Sequence, residues 1–347
     1  MTRTRSTLVL AVLLLALLTA CGGGDKTGPA GEPAGTGTTG AESGAPSEQT
    51  SNTEEAGQAE ADAAATRIVK SATGEVEIPA NPERIVGLSV VYPEFLYALG
   101  VVPVAVQNYH DEYPAYLQEA FRDTLKTGIA KTPNFEAILA AEPDLIIAPQ
   151  WWSEKDYDQL SKIAPTVLLP EREEWQDELR DIAVVLGKED AAEQVIEDLK
   201  AKEAAATARL DELVGDETVL YMRVMAKEIV LHGENLSRGS LVHKQLGLKP
   251  VESFPQDEMS LSISLEVLPD YDADHLIVQL DDDTNEEVNS AFTELSSSSL
   301  WKSLKAVKND HVYMVGSKEW FNVGMSPLAD SYAIDALVAA FEEKAGR

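Results

Sequence analysis

A long segment without glycine or proline divides this sequence into two similar parts. Over residues 190–214 the chain reads DAAEQVIEDLKAKEAAATARLDELV, which is rich in alanine, glutamate, lysine and leucine, and Gly215 follows as a cap. This composition predicts one long helix that ends at the glycine. Short apolar runs alternate with helical patterns on both sides of it. The economical fold is therefore two α/β lobes joined by a single helix.

The short apolar runs predict the strands of two sheets. Runs such as DLIIA and HLIVQL are continuously apolar, which is typical of strands covered on both faces by helices. The predicted strands are 84–89, 102–107, 144–149, 166–169, 218–224, 229–232, 275–280 and 311–315.

The two parts also repeat one motif, seen in NFEAILAAEPDLIIA and SISLEVLPDYDADHLIV. Each copy has a possible helix N-cap, a glutamate and an aspartate before a strand: Asn134, Glu136 and Asp144, then Ser264, Glu266 and Asp274. We expect each copy to form a short helix that leads into a strand. The glutamate then occupies the same position in both lobes.

The N-terminus reads as a processing and anchoring segment. Two arginines precede an apolar run over residues 8–18, which spans about 16 Å as a helix and is short for a bilayer. The following Leu18-Thr19-Ala20-Cys21 contains the only cysteine, so an internal disulfide is excluded. It resembles a bacterial lipobox, which implies a lipidated Cys21; the alternative is an ordinary signal peptide. The glycine- and proline-rich stretch up to residue 66 predicts a flexible tether.

Charge and motifs exclude several classes of function. The formal net charge is −31 and basic clusters are lacking, so nucleic acid is not an expected partner. GxSxG, HExxH, P-loop and GxGxxG motifs are absent, and the sole cysteine belongs to the anchor, so we expect no enzyme. DDDTNEE at 281–287 lacks the glycine and final glutamate of an EF-hand loop and is expected to be a solvated acidic loop.

The order and spacing of several segments resemble a known family. GEVEIPANPERIVGLSVVYPEFLYALGVVPVAV, the two repeated motifs and LWKSLKAVKNDHVYMV are similar to the substrate-binding lipoproteins of bacterial ABC importers for iron–siderophore complexes and cobalamin. The resemblance covers nearly all of the chain after the tether. It implies two Rossmann-like α/β lobes joined by one long helix, with the ligand in the cleft between them.

The resemblance also implies an organisation, a location and a partner. The chain divides into a signal peptide (1–20), lipidated cysteine and tether (21–66), N-terminal lobe (67–189), connecting helix (190–215) and C-terminal lobe with a terminal helix (216–347). The mature protein is expected to be a monomer, lipid-anchored on the extracytoplasmic side of the cell membrane. In the family, one glutamate per lobe binds arginines of a permease dimer, and these glutamates correspond to Glu136 and Glu266.

Most ligand-binding candidates follow the ends of predicted strands, where ligands bind in open α/β sheets, and Lys131 and Arg238 are added as cations. Aromatic residues make up only 6% of the chain, yet they follow several strands. Rings offer flat apolar area, and cations can bind the oxygens around a chelated iron. Trp175 opens a helical pattern and is expected to be structural. The candidates are Tyr92, Tyr109, Lys131, Trp151, Trp152, Arg223, Arg238, Trp320 and Phe321.

These residues favour a ferric siderophore as the ligand, with a hydroxamate favoured over a catecholate because no dense basic cluster is present. The iron arrives already chelated, so the protein needs no metal ligands and no cofactor. Cobalamin or haem is the alternative within the family, since both offer large faces to aromatic rings. A receptor that binds Mn or Zn directly is less favoured, because the five histidines show no paired spacing.

Overall fold

The computed structural model describes residues 65–108, 112–128, 133–235, 237–255, 257–316, 318–321 and 326–346. The predicted signal peptide, Cys21 and almost all of the tether lie outside these residues. Within the described ranges, no helix is long and apolar enough to cross a membrane.

Strands and helices alternate along the chain. The strands are β1 (Thr66–Ser71), β2 (Gly74–Pro79), β3 (Ile85–Gly87), β4 (Ala105–Val106), β5 (Leu125–Lys126), β6 (Leu145–Pro149), β7 (Thr166–Leu169), β8 (Thr218–Val224), β9 (Ile229–His232), β10 (Lys249–Pro250), β11 (Ser260–Ile263), β12 (His275–Leu280) and β13 (Val312–Val315). The helices are α1 (Tyr92–Ala98), α2 (Ala115–Gln118), α3 (Phe135–Ala140), α4 (Gln150–Ser153), α5 (Tyr157–Leu160), α6 (Trp175–Leu186), α7 (Glu189–Val214), α8 (Ser237–Ser240), α9 (Glu286–Ser297), α10 (Ser299–Ser303), α11 (Lys305–Lys308), α12 (Lys318–Phe321) and α13 (Pro327–Ala345).

The N-terminal lobe is built on a parallel sheet. Its strand order within the described residues is β5-β4-β3-β6-β7, and every pairing in it is parallel. The central strands β3 and β6 are fully buried, as their continuous apolar runs predict. An antiparallel hairpin, β1-β2, precedes this sheet and was not predicted. It attaches to the sheet edge through the backbone bond from Ala72 N–H to the Leu168 carbonyl, at 2.8 Å.

The C-terminal lobe is built on a mixed sheet. In the part of the chain that is described, its order is β11-β9-β8-β12-β13, with the short β10 beside β8. The strands β8, β12 and β13 are parallel, whereas β9 is antiparallel to both β8 and β11. The predicted bounds of β8, β9 and β12 match the structure.

Helix α7 joins the two lobes as the sequence predicts. Ala192 and Ile196, in its first half, pack into the N-terminal core, and Ala206 and Leu210, in its second half, pack into the C-terminal core. Gly215 ends the helix with φ 59° and donates its N–H to the Asp211 carbonyl at 2.9 Å. The α/β fold of two lobes around one long helix is thus confirmed.

The C-terminal helix α13 makes a second connection between the lobes. Lys202 of α7 donates to Asp335 at 2.5 Å and to the Ser331 hydroxyl at 2.7 Å, which fixes α13 against the connecting helix. The first turn of α13 also contacts α1 of the N-terminal lobe through Glu94. Trp175 packs against the hydrophobic cores of both lobes, so its structural role is confirmed.

The repeated motif forms an α-helix in only one of the two lobes. In the first copy, Asn134 caps α3 by accepting the Ala137 N–H at 3.1 Å. In the second copy, Glu266 lies in a turn, and a short 3-10 helix, Leu268–Tyr271, follows it. The expected short helix before β12 is therefore present as a 3-10 helix, but Glu266 lies in the turn before it, whereas Glu136 lies within α3. Pro269 stands within this segment and lacks the N–H that a continued helix would need.

Candidate functional site

The carboxyl end of β6 presents two tryptophans, as the sequence predicts. Trp151 and Trp152 lie in α4, which begins directly after β6. Trp151 is 62% exposed, whereas Trp152 is partly buried and meets its neighbour edge to face at 5.1 Å. A large aromatic ring costs free energy when it is exposed to water. Trp151 is therefore a surface on which an apolar ligand face can pack.

Arg223 lies near the carboxyl end of β8 and is already paired. It is opposite Gln279 in the parallel ladder of β8 and β12, and its guanidinium forms an ion pair with Asp281 just after β12. The Arg223 side chain is only 8% exposed. The arginine and the aspartate thus form a preorganised, charge-balanced pair at the strand ends.

Arg238 is more deeply buried than the sequence suggests. Its Nη1 donates to Asp330 Oδ1 at 2.6 Å and its Nε donates to the Trp320 carbonyl at 2.7 Å. The guanidinium lies 5.4 Å from the centre of the Trp320 ring. Arg238 is 1% exposed and Trp320 has no exposed surface, which corrects the expectation that both side chains are open to a ligand. Here they connect α8, α12 and α13.

A buried carboxylate, Glu94, lies beside this group. Its oxygens accept the Tyr116 hydroxyl at 3.0 Å, the Ala329 N–H at 3.1 Å and the Ser326 hydroxyl. Because Glu94 belongs to α1 and two of its donors belong to the start of α13, this carboxylate joins the two lobes. Burial, only partly offset by these donors, raises the pKa of Glu94 to about 7.

We call these six residues the interlobe cluster: Glu94, Tyr116, Arg238, Trp320, Ser326 and Asp330. They come from α1, α2, α8, α12 and α13 together with the residue before α13. Burial raises the pKa of Asp330, and the neighbouring Arg238 opposes this shift. Sequence reasoning missed Glu94 and Asp330. The sequence feature that could have indicated burial of Glu94 is that it is the single carboxylate in an otherwise apolar run, VVYPEFLYALG.

Tyr92 is a core residue of the N-terminal lobe. It is the first residue of α1, has no exposed surface, and packs near Phe95 with 6.3 Å between ring centres. Burial is the main cause that raises the pKa of its phenol, followed by the charge of Glu178. This position corrects the expectation that the Tyr92 ring is exposed at the strand end.

Three further candidates have no described side chain. Tyr109 and Lys131 lie outside the described residues. Phe321 is the last residue of α12, and only its backbone is described. Their predicted contact with a ligand stays a prediction.

The two predicted docking glutamates are both exposed on the surface. Glu136 stands in the first turn of α3, and Glu266 stands in the turn after β11. The Glu266 carboxylate accepts from its own backbone N–H and from the Ser264 hydroxyl, and these bonds lower its pKa. Both carboxyl groups are therefore accessible to a cationic partner.

The aspartates of the repeated motif have a structural task that the sequence did not reveal. Asp144 accepts the backbone N–H groups of Glu83 at 2.7 Å and Arg84 at 2.9 Å, just before β3. Asp274 accepts the Thr218 N–H at 2.9 Å, at the start of β8. In each lobe the aspartate before one strand thus fixes the start of its parallel neighbour.

An exposed ring and a paired arginine thus lie at the carboxyl ends of strands, where α/β proteins bind their ligands. A profile of the periplasmic binding protein family matches residues 85–319. The chain therefore belongs to the periplasmic binding protein family. Members of this family bind solutes and are not enzymes.

Individual relatives are similar to this chain over most of its length. The chain is 34% identical over 302 residues to the probable siderophore-binding lipoprotein YfiY of Bacillus subtilis, which covers 84% of this chain and 92% of the relative. It is 31% identical over 271 residues to the iron(3+)-hydroxamate-binding protein FhuD of Bacillus subtilis, with 76% and 83% covered. Its fold is similar to the triscatecholate siderophore binding protein FeuA from Bacillus subtilis complexed with ferri-bacillibactin, at a TM-score of 0.64, 25% identity and coverage of 80% and 98%.

Proposed function

We propose that this protein is a lipid-anchored receptor that binds a ferric siderophore outside the cytoplasm and delivers it to an ABC permease. The observation that carries the proposal is similarity over most of the chain to proteins whose names specify siderophores. The exposed Trp151 and the strand-end Arg223 support it, because a chelated iron presents apolar faces and oxygen atoms. Cys21 supplies the anchor in this proposal.

The ion pair of Arg223 with Asp281 favours a hydroxamate as the iron chelator. Arg223, the strand-end cation of the proposed site, is paired with Asp281, so a carboxylate of the protein already neutralises its guanidinium. A ferric tris-hydroxamate is neutral overall, whereas a ferric tris-catecholate is strongly anionic. A site whose arginine is already neutralised by a carboxylate can bind a neutral complex without leaving a buried charge unpaired.

Delivery to the permease is assigned to Glu136 and Glu266. The two carboxylates are exposed, lie in different lobes and occupy equivalent positions of the repeated motif. A related pair of anions fits a permease dimer that presents the same cationic pocket on each subunit.

The test is a titration of tryptophan fluorescence with ferric hydroxamates, ferric catecholates, ferric citrate, haem and cobalamin, with iron-free siderophores as controls. We expect saturable quenching by a ferric siderophore, with the tightest binding for a hydroxamate. The Trp151→Ala variant should weaken this affinity about tenfold, because a stacked ring is lost.

A surface variant provides the matched control. Val184→Ala shortens a side chain that is 53% exposed on α6, away from the strand ends, and should leave the affinity unchanged. Saturable binding of cobalamin or haem with no response to any ferric siderophore would show that the proposed ligand class is wrong. Equal binding by Trp151→Ala and the parent chain would remove Trp151 from the site.

A further inference from the structure

Two histidines and a glutamate lie together at the amino ends of neighbouring strands in the C-terminal sheet. Glu217 directly precedes β8, His275 opens β12, and His311 directly precedes β13. These strands are adjacent and parallel, so their amino ends meet at one sheet edge. Arg223 lies at the other end of β8. This group is therefore separate from the candidate ligand site.

The possible metal-binding atoms of the three residues are close to one another. One ligand atom from each residue lies within 4.8 Å of the other two. Glu217 Oε2 is 2.6 Å from His275 Nε2, and the two imidazole rings face each other with 4.4 Å between their centres. Ligands of a tetrahedral zinc ion are about 3.3 Å apart, and an imidazole binds a metal in the plane of its ring, so one of the two stacked rings turns out of the stack when all three atoms bind one ion.

The Nδ1 atom of each histidine has a hydrogen-bond partner, and that of His311 is the one found at metal-binding histidines. His311 Nδ1 is 3.2 Å from the Asp274 carbonyl, which can only accept, so Nδ1 carries the proton and Nε2 keeps its lone pair. His275 Nδ1 is 2.9 Å from the Tyr313 hydroxyl. A hydrogen bond from the distal nitrogen orients the ring and makes the ligating nitrogen more basic. His311 Nε2 is thus available as a ligand, whereas His275 Nε2 donates its proton to the Glu217 carboxylate, so a bound ion takes the place of that proton.

The surroundings favour a cation that enters from solvent. Glu217 is exposed, His311 is partly buried and His275 is buried, so the group opens to water on the glutamate side. The formal net charge of −31 attracts cations to the surface. Two imidazoles and one carboxylate form a ligand set that suits zinc, with water in the fourth position.

We propose that Glu217, His275 and His311 form a zinc site at the amino-terminal edge of the C-terminal sheet. An ion held there joins the starts of β8, β12 and β13. Because the three ligands come together only in the folded lobe, binding stabilises that lobe by mass action. The site is independent of the proposed transport function, and its ion is not the transported ligand.

The test begins with calorimetric titration of the full chain with Zn²⁺ after treatment with a chelator. We expect one ion per chain and a rise in the melting temperature with added Zn²⁺. Co²⁺ in place of Zn²⁺ should give the visible absorption of a four-coordinate site. Glu217→Gln and His311→Ala should each weaken Zn²⁺ binding about tenfold or more, as loss of a ligand requires.

Controls separate this site from general attraction to acidic groups and from the cargo site. The double variant Glu286→Gln/Glu287→Gln removes two exposed carboxylates from the first turn of α9 and should bind Zn²⁺ like the parent chain. Glu217→Gln changes an exposed side chain and keeps the test valid if His311→Ala does not fold. Absence of Zn²⁺ binding to the parent chain, or full binding by Glu217→Gln and His311→Ala, would overturn the proposal.

Discussion

At the residue scale, the most consequential group is the carboxyl of Glu94. It is completely buried between α1 and the start of α13, and three donors from both lobes satisfy it. Burial nevertheless outweighs these bonds, so the neutral form is favoured up to a pKa of about 7. The contact between the lobes therefore depends on pH in the physiological range.

We predict that Glu94→Gln reduces the pH dependence of stability. The pKa of Glu94 is raised on folding, so its contribution to stability is complete below about pH 4.5 and is lost as pH rises through about 7. The shift corresponds to a free energy on the order of 3 kcal/mol between these limits. Glutamine is neutral and does not titrate, so the variant lacks the part of the pH dependence of the unfolding free energy that Glu94 causes.

Urea unfolding of both proteins at a series of pH values measures the effect. The difference in unfolding free energy between parent and variant should change steadily from pH 4.5 to 7 and be constant above that range. A difference that does not vary with pH would show that Glu94 keeps an ordinary pKa. Other titrating groups are common to both proteins and cancel in this comparison.

The location of a candidate-site residue could be predicted from the sequence only where its position at the end of a strand determined which groups surround it. Trp151 and Arg223 lie at strand ends in both the sequence pattern and the structure. Tyr92 also follows a strand, but it packs in the N-terminal core with residues of α6, and Arg238 is held by α12 and α13. Sequence patterns report local periodicity, whereas burial by α13 depends on tertiary packing.

At the scale of elements, the starts of the parallel strands are fixed by side chains and not by turns. Asp144 holds the chain before β3, and Asp274 holds the first residue of β8. The strand β3 has only three residues, so few ladder bonds anchor it. The aspartates give both lobes the same device for setting strand register.

We predict that Asp144→Ala lowers the free energy of unfolding by about 1–2 kcal/mol. Two backbone N–H groups lose a charged acceptor, and water replaces part of that interaction because the site is exposed. Chemical denaturation measures the loss. Asp123→Ala is the matched control, since Asp123 is exposed and lies 3.9 Å from its nearest cation, and it should change stability by less than about 0.5 kcal/mol. Equal effects of the two changes would contradict the role of Asp144.

Elements with strong composition or continuous apolar runs were predicted well. The connecting helix and strands β8, β9 and β12 follow from such patterns. Strand 102–107 is reduced to Ala105–Val106, and the hairpin β1-β2 was missed because only two of its residues are fully buried. The second copy of the repeated motif shows that equal spacing does not guarantee equal backbone structure.

At the scale of the whole molecule, the repeated motif places one exposed glutamate on each lobe. We predict that Glu136→Ala combined with Glu266→Ala reduces siderophore uptake about tenfold or more, because two charge pairs with the permease are lost. Affinity for the ferric siderophore should stay within about twofold, since both side chains are exposed. Uptake of radioactive iron and fluorescence titration measure the two quantities.

A charge-matched variant controls for the loss of negative charge. Glu173→Ala combined with Glu252→Ala removes one exposed carboxylate from each lobe at other positions and should leave uptake unchanged. Equal losses of uptake in the two double variants would indicate general electrostatic attraction. A loss of ligand affinity in the first variant would place Glu136 and Glu266 at the ligand site.

The continuous helix α7 has a consequence for how the molecule comes apart. Its first half completes the core of one lobe and its second half completes the core of the other. If one lobe unfolds, half of α7 loses its apolar contacts, and the other lobe depends on the same helix for its core. The two lobes therefore form one cooperative unit, and a chain cut within α7 would leave two fragments that fold only when they reassemble.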